Sequence, residues 1–203
     1  AAYDIARGMQ YLHSRQIAHR DLKSLNVLID KDNHARLCDF GFSRHWSDTS
    51  PMNSSIGTPH WMAPEILMKG SYTNKVDVYA YGVVLWEIAT GKLPYNNLEP
   101  KKIIELVISK NIRPEMPTNI SPELAELIRN CWDRKPENRP SFDTIIKTFK
   151  TKKIFFPNTH IDQFVKYMNE SATSTEVLDD EIEKKIQELK DGNSSIETLI
   201  KIL

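Results

Sequence analysis

The chain has 203 residues, which is enough for one domain of ordinary size and an extension, and 40% of them are apolar, enough for a hydrophobic core. The 27 basic residues balance the 27 acidic ones, so the composition argues against a nucleic acid or another polyanion as a partner.

Cysteine usage indicates a reducing compartment. Cys38 and Cys131 are far apart, with neither C-x-x-C spacing nor a histidine cluster, which argues against a disulfide framework or a zinc site. No apolar run is long enough to cross a bilayer, so we expect no membrane partner. The predicted location is cytoplasmic.

The first residues carry helical periodicity. One face of the predicted helix collects Ala2, Ile5, Ala6, Met9 and Leu12. No capping residue precedes this face, so we expect the chain to begin at or inside a helix and to be a piece of something longer.

Two short apolar runs follow, at residues 26–29 and 35–38. Turn-forming residues 30–33 separate them, so the sequence predicts a β-hairpin. Residues 42–60 are rich in Ser, Thr, Asp and Asn and predict a long loop, which in compact domains is usually functional or disordered.

Helices are predicted for most of the remaining chain. Residues 76–89 are apolar almost all round, which is typical of a helix buried in a core. Residues 99–109 are amphipathic, and further helix starts are predicted at Pro64, Ser121 and Ser141. We expect a domain of residues 1–155 and a helical extension of residues 156–203.

Two apolar faces mark that extension, one with Leu178, Ile182, Ile186 and Leu189 and the other within residues 196–203. The ordinary interpretation is that both helices fold back on the domain. The alternative is a helix that binds a partner or another copy of the chain, although two heptads are too few to indicate a coiled coil.

The stretch His19-Arg20-Asp21-Leu22-Lys23-Ser24-Leu25-Asn26 crowds polar groups in front of the first strand. A hairpin would bring Asn26 close to Asp39, which follows the second strand. Two such oxygen ligands suit Mg²⁺, which usually takes one or two protein oxygens together with phosphates and waters. Asp21 would then be left to hold a substrate hydroxyl, and Lys23 to neutralise charge on a transferred phosphoryl group.

Three motifs in this chain resemble those of protein kinases. Residues 19–26 resemble the catalytic loop, residues 39–41 (Asp-Phe-Gly) the metal-binding motif, and residues 63–65 (Ala-Pro-Glu) the end of the activation segment. Any one motif alone would be weak, but the three occur in the family's order at plausible spacing.

The resemblance is to the tyrosine-kinase-like group of serine/threonine kinases. Residues 57–65 are similar to that group's substrate-docking loop, 77–87 to its central helix and 131–140 to its late helical region. The resemblance covers residues 1 to about 150. It implies a mostly α fold of the α+β family, the kinase C-terminal lobe with a short β-hairpin at the catalytic loop.

The resemblance also implies ATP and Mg²⁺ as cofactors and a protein as substrate. Asp21 would orient the substrate hydroxyl and accept its proton, Lys23 would contact the transferring phosphate, and Thr58 would brace both. The remaining implied ligands are Asn26 and Asp39 for Mg²⁺ and Leu28 under the adenine, although core packing is the ordinary role of a strand leucine.

Five further residues have structural roles in the family. His19 and Phe40 would pack in the interior, and Asp77 would bond the catalytic-loop backbone. Glu65 would pair with Arg139. The plainer interpretation makes Asp77 and Glu65 simple first-turn acids of their helices.

Regulation is implied by two cations, Arg20 and Arg44, which in the family can clamp a phosphate on the activation segment. Of the loop hydroxyls, Ser54 and Ser55 are the predicted activating sites. The alternative is that they are solvated loop hydroxyls.

The family's nucleotide grip is missing from the sequence. None of the seven glycines has G-x-G spacing, and only one predicted helix precedes His19. We therefore expect the N-terminal lobe to be absent, the chain to be inactive alone, and Phe40 and Leu28 to be poorly covered.

Three functions remain open. Lys23 and the Gly57-Thr58 pair favour a serine/threonine kinase over a tyrosine kinase. The first alternative is a small-molecule phosphotransferase, which would have no use for the docking segment 57–65. The second is a non-catalytic binding module made by truncation.

Overall fold

The computed structural model describes residues 1–45, 58–152, 154–157 and 159–170. Most of these residues are helical, as the sequence predicts. The seven α-helices of the described ranges are α1 (Ala2–Ser14), α2 (Pro64–Leu67), α3 (Lys75–Thr90), α4 (Pro100–Lys110), α5 (Pro122–Cys131), α6 (Phe142–Lys152) and α7 (Ile161–Glu170). Short 3₁₀ helices occur at Ser24–Asn26, Pro59–Trp61 and Pro136–Asn138.

Helix α3 forms the centre of the core. Every residue from Val76 to Trp86 is buried, which confirms the prediction from the all-round apolar sequence except in the last turn, where Ile88 is exposed. The helix packs chiefly on α5, and Gly82 makes this approach possible because a Cβ there would lie 2.8 Å from Cys131 Cβ. Gly91 ends α3 in the left-handed conformation, with φ of 65°.

Helix α1 buries the predicted face against α6 and α3. Its buried residues are Ala2, Tyr3, Ile5, Ala6, Met9 and Leu12. The buried Tyr81 hydroxyl of α3 donates to the Ala2 carbonyl over 2.9 Å, which joins the two helices at the beginning of the chain.

The predicted helix starts are found. Ser121 Oγ accepts the Leu124 amide at 3.1 Å, and Ser141 Oγ accepts the Thr144 amide at 3.2 Å. Both are side-chain N-caps, which satisfy amides that have no partner inside the helix. Pro64 is the first residue of α2.

Two small antiparallel sheets hold the polar loops. Strands β2 (Val27–Ile29) and β3 (Ala35–Leu37) form the predicted hairpin, with Leu28 opposite Arg36. Strands β1 (Ile17–Ala18) and β4 (Arg44–His45) form a second pair that the sequence did not predict. The two segments that connect the sheets, residues 19–26 and 38–43, therefore lie side by side.

Helix α7 packs on the same core as the rest of the described chain, with Met168 buried. The predicted helices within residues 178–203 lie outside the described residues, so the division into residues 1–155 and 156–203 stays a prediction. Within the described ranges, no helix has both the length and the hydropathy needed to cross a membrane.

Candidate active site

Asp77 holds the backbone of the loop that carries the polar stretch. From the first turn of α3, its Oδ2 accepts the His19 amide at 2.9 Å and its Oδ1 accepts the Arg20 amide at 2.8 Å. Arg20 has φ of 67°, a left-handed conformation that is uncommon for a side chain of this size. The carboxylate therefore does more than a first-turn acid, because it fixes a strained segment of the loop.

A histidine on α1 orients Asp77. His13 Nε2 lies 2.9 Å from Asp77 Oδ2, and its Nδ1 lies 3.1 Å from Asn74 Nδ2. The Asp77 carboxylate can only accept, so His13 Nε2 carries a proton that points at Asp77. Burial by itself raises the pKa of Asp77, but the bond and charge of His13 and the His19 and Arg20 contacts outweigh it and lower the pKa below its ordinary value.

Asp21, Lys23 and Asn26 converge on one carboxylate oxygen. Asp21 is 8% exposed, and its Oδ2 lies 2.7 Å from Lys23 Nζ and 3.0 Å from Asn26 Nδ2. Asn26 Nδ2 also donates to the Asp21 carbonyl at 2.8 Å. Three residues within one short loop thus form a single, largely buried polar group, with the second carboxylate oxygen of Asp21 left out of these bonds.

The hairpin brings the two predicted metal ligands to the same end. The Cys38 amide donates to the Asn26 carbonyl at 3.0 Å, so Asp39 follows the residue opposite Asn26. Asp39 has φ of 62° and an exposed side chain. The Asn26 amide nitrogen points at Asp21, so its oxygen is the end that remains for another ligand.

The rings of His19 and Phe40 pack together and connect the two loops, residues 19–26 and 38–43. His19 is fully buried, and its ring centroid lies 5.1 Å from that of Phe40, which is 4% exposed. His19 Nδ1 accepts the Asp21 amide and Nε2 lies 3.2 Å from the Cys38 carbonyl, so the ring bridges both loops. Burial lowers the pKa of His19 below its ordinary value.

The expectation that Phe40 would be poorly covered is wrong. The His19 ring and the hydrophobic core cover it in this chain alone. Leu28 behaves in the opposite way: it is 57% exposed, so core packing is not its role. The leucine lies on the hairpin near Asn26, and its contact with an adenine stays a prediction.

The regulatory residues are only partly described. Arg20 Nε donates to the Phe42 carbonyl at 2.6 Å, and Nη1 donates to the Tyr72 hydroxyl. Arg44 is exposed, and its Nη1 donates to the Ser43 carbonyl. Ser54 and Ser55 lie outside the described residues.

Thr58 is the first described residue of the predicted docking segment. It precedes the 3₁₀ helix Pro59–Trp61, and its carbonyl accepts the Trp61 amide at 3.2 Å. Among the hydrogen bonds between described residues, none joins Thr58 to Asp21 or Lys23. Its bracing role stays a prediction.

Glu65 and Arg139 form the expected pair. Arg139 is 1% exposed, and its Nη1 and Nη2 donate to the two Glu65 carboxylate oxygens at 2.6 and 2.9 Å. Its other bonds reach the carbonyls of Asp133 and Lys75, and its guanidinium lies 5.1 Å from the Tyr79 ring centroid. This geometry ties α2 to the segment before α6.

Sequence reasoning missed Glu87, which connects two of the predicted functional loops. Glu87 Oε1 accepts the Ser24 hydroxyl at 2.9 Å, and Oε2 accepts the Trp61 indole N–H at 2.6 Å. Burial raises the pKa of Glu87, and the two hydrogen bonds partly oppose that rise. No local signal marks this residue, because its partners are distant in sequence.

A comparison against protein families assigns most of the chain to one family. Residues 1–149 match the family described as protein tyrosine and serine/threonine kinase. The chain therefore belongs to this protein kinase family, and the prediction drawn from its motifs is confirmed at that level.

Individual relatives carry serine/threonine kinase names. The chain is 47% identical over 145 residues to a probable serine/threonine-protein kinase of Dictyostelium discoideum, which covers 71% of this chain and 16% of that protein. It is 48% identical over 148 residues to serine/threonine-protein kinase CTR1 of Arabidopsis thaliana, with 71% and 18% covered. It is 45% identical over 142 residues to mitogen-activated protein kinase kinase kinase 12 of Rattus norvegicus, with 70% and 16% covered. The chain thus spans less than a fifth of each of these relatives.

Proposed function

We propose that this chain is the C-terminal lobe of a protein serine/threonine kinase, which transfers the γ-phosphoryl group of ATP to a protein hydroxyl. The observation that carries the proposal is the buried Asp21 carboxylate, shared by Lys23 Nζ and Asn26 Nδ2 and held on a backbone fixed by Asp77. Kinases need this arrangement because the chemistry depends on positioning and charge stabilisation.

Asp21 is the proposed general base. Lys23 and Asn26 both contact Oδ2, so the other carboxylate oxygen is left to receive the proton of a substrate hydroxyl. Lys23 lies beside this carboxylate and supplies a positive charge next to the point where the phosphoryl group would arrive. Asp77 and His13 hold the loop, so these groups need little rearrangement before reaction.

The residues present fit Mg²⁺ and the phosphates of ATP. Asn26 and Asp39 would hold the metal through one amide and one carboxylate oxygen, a ligand set that Mg²⁺ accepts when phosphates and waters complete its shell. When bound, Mg²⁺ would neutralise charge on the phosphates.

A protein substrate is favoured over a small molecule by the contacts of the proposed docking segment. Trp61 of this segment and Ser24 of the catalytic loop both donate to the Glu87 carboxylate. Glu87 therefore holds the docking segment next to the catalytic loop. A small-molecule phosphotransferase has no need of such a link. The serine/threonine names of the relatives support a serine or threonine acceptor. We also propose a cytoplasmic location, on the cysteine usage.

We further propose that the 203 residues alone have no useful kinase activity. The sequence carries no G-x-G pair to cover phosphates, and Leu28 offers an adenine one exposed apolar wall. General-base catalysis alone supplies about 10²–10⁴-fold, which is small beside enzymatic rate enhancements of about 10⁶-fold or more.

The test measures ATP binding and ATP-dependent phosphorylation of a generic protein substrate, for this chain alone and for the chain joined to a kinase N-terminal lobe. We expect phosphoserine or phosphothreonine only from the joined protein. Phosphotyrosine as the product would contradict the acceptor class. ATP binding without transfer by the joined protein would favour the non-catalytic binding module, and transfer to small molecules alone would favour the small-molecule enzyme.

A further inference from the structure

Helix α7 lies beyond the part of the chain that matches the kinase family, which ends at residue 149. Its sequence is amphipathic, and Phe164, Val165 and Met168 contact the core, while Gln163 and Lys166 face solvent. Met168 is 4% exposed, so this helix is held by more than surface contact.

The docking surface for α7 is an aromatic cluster centred on Tyr3 of α1. The Tyr3 ring meets Phe149, Phe164 and Tyr167 edge to face, at centroid separations of 5.8, 6.0 and 6.3 Å. Edge-to-face pairs of this kind stabilise packing beyond the effect of the area that they bury. The cluster joins α7 to both α1 and α6.

Tyr167 extends this attachment to the catalytic hairpin. Its hydroxyl donates to Asp4 Oδ1, and its ring stacks on His34 at a centroid separation of 5.0 Å. Asp4 Oδ2 in turn accepts the Ala35 amide at 3.1 Å. His34 and Ala35 are the turn end of the β2–β3 hairpin.

The hairpin depends on such contacts for its position. It has three residues in each strand and only two strands, and a hairpin of this size is marginal in water unless it packs on another element. Ala35 and Leu37 of β3 are buried on the core beside α1, and the contacts of Asp4 and Tyr167 add to this packing at the turn end. Its open end carries Asn26 and leads to Asp39, and its turn end is attached through Asp4 and Tyr167. Whatever fixes the turn end therefore limits how freely the whole hairpin moves.

We propose that α7 is a tether for the β2–β3 hairpin, with Tyr167 as the positioning residue that acts through Asp4 and His34. The tether is a property of this chain outside its family-matched region. Its effect on the metal ligands rests on the proposed function, whereas its effect on the hairpin does not.

Hydrogen exchange of the 203-residue chain tests the tether directly. Tyr167→Phe removes the hydroxyl bond and keeps the ring, so we expect the Ala35 amide to exchange about tenfold faster while the slowest amides of α3 stay unchanged. Gln163→Ala on the solvent face of α7 is the matched control. Tyr95→Phe, which removes a hydroxyl bonded to the Ile112 carbonyl, controls for loss of a tyrosine hydroxyl elsewhere.

Two outcomes would overturn the tether. An unchanged exchange rate of the Ala35 amide in Tyr167→Phe would show that the bond from Tyr167 to Asp4 does not position the hairpin. An equal acceleration of all slow amides would show that α7 only stabilises the domain as a whole.

A second readout addresses the metal site, in a complete kinase that carries this chain. Tyr167→Phe should raise the Mg²⁺ concentration needed for half-maximal activity by about threefold, with the KM for the protein substrate unchanged. An unchanged Mg²⁺ requirement beside a faster Ala35 exchange would overturn the effect on the metal ligands and leave the tether in place. Loss of all activity in the unsubstituted kinase would instead contradict the proposed function.

Discussion

At the scale of single residues, the buried Glu65–Arg139 ion pair is expected to make a large contribution to the stability of the fold. Both carboxylate oxygens and most of the guanidinium are satisfied inside the protein. Removing one partner leaves the other charged and buried, which typically costs about 3–5 kcal/mol.

Arg139→Met should therefore lower the free energy of unfolding by about 3–5 kcal/mol, measured by urea denaturation. Lys102→Met provides the control, because Lys102 and Glu105 form an exposed pair and such pairs are worth about 0.2–1 kcal/mol. A loss below about 1 kcal/mol for Arg139→Met would show that the buried pair is not a major contribution.

His19 makes stability depend on pH. Burial lowers the pKa of this histidine below 6.5, so the folded chain keeps the ring neutral where the unfolded chain takes up a proton. Stability from this group is complete above pH 6.5 and is lost as the pH falls from there towards the folded-state pKa. Thermal unfolding between pH 8 and pH 5 should show this loss.

His19→Gln should flatten that pH dependence, whatever it does to stability at pH 8. His60→Gln is the comparison, since burial also lowers the pKa of His60 but its side chain is only partly buried. An unchanged slope in His19→Gln would mean that other groups cause the acid sensitivity.

Asp39 tests the metal assignment. In a complete kinase carrying this chain, Asp39→Asn removes the charge of one proposed Mg²⁺ ligand and should reduce kcat by at least about 10²-fold. The side chain is exposed, so the unfolding temperature should stay within a few degrees of the original. Near-normal turnover in this variant would contradict the assignment.

At the scale of elements, helices were predictable where one pattern decided the outcome. Helix α3 has apolar residues on almost every side and α1 has one apolar face, so both patterns predict burial. Serine caps mark the starts of α5 and α6. The β1–β4 pair was not predictable, because two-residue strands carry no pattern. Its position follows from the loops that it closes.

The close contact of α3 with α5 gives an element-scale prediction. In Gly82→Ala, the new Cβ would lie 2.8 Å from Cys131 Cβ and 3.1 Å from the Trp132 amide nitrogen, so the helices must separate. We expect a loss of about 1–3 kcal/mol in chemical denaturation. Gly70→Ala, whose Cβ would make ordinary contact at 3.5 Å, should lose much less. Equal losses in the two variants would contradict the packing argument.

At the scale of the whole molecule, the site was predictable in its parts and less so in its connections. Asp21, Lys23 and Asn26 lie within six residues, so their convergence follows from local sequence. Glu87 and His13 could not be found in that way, because their partners arrive only when α1, α3 and the docking segment pack together. The burial of Phe40 was not predicted, because its motif does not show that the His19 ring and the core of this chain cover it.

Base catalysis by Asp21 is the step on which the proposed serine/threonine kinase activity depends. Its most direct test is the rate of phosphate transfer from labelled ATP to a protein substrate by a complete kinase carrying this chain, with Asp21→Asn as the variant. We predict a loss of about 10²–10⁴-fold in kcat, with ATP binding retained and phosphoserine or phosphothreonine as the product of the unsubstituted enzyme. Turnover by Asp21→Asn within a few-fold of the original would contradict the claim.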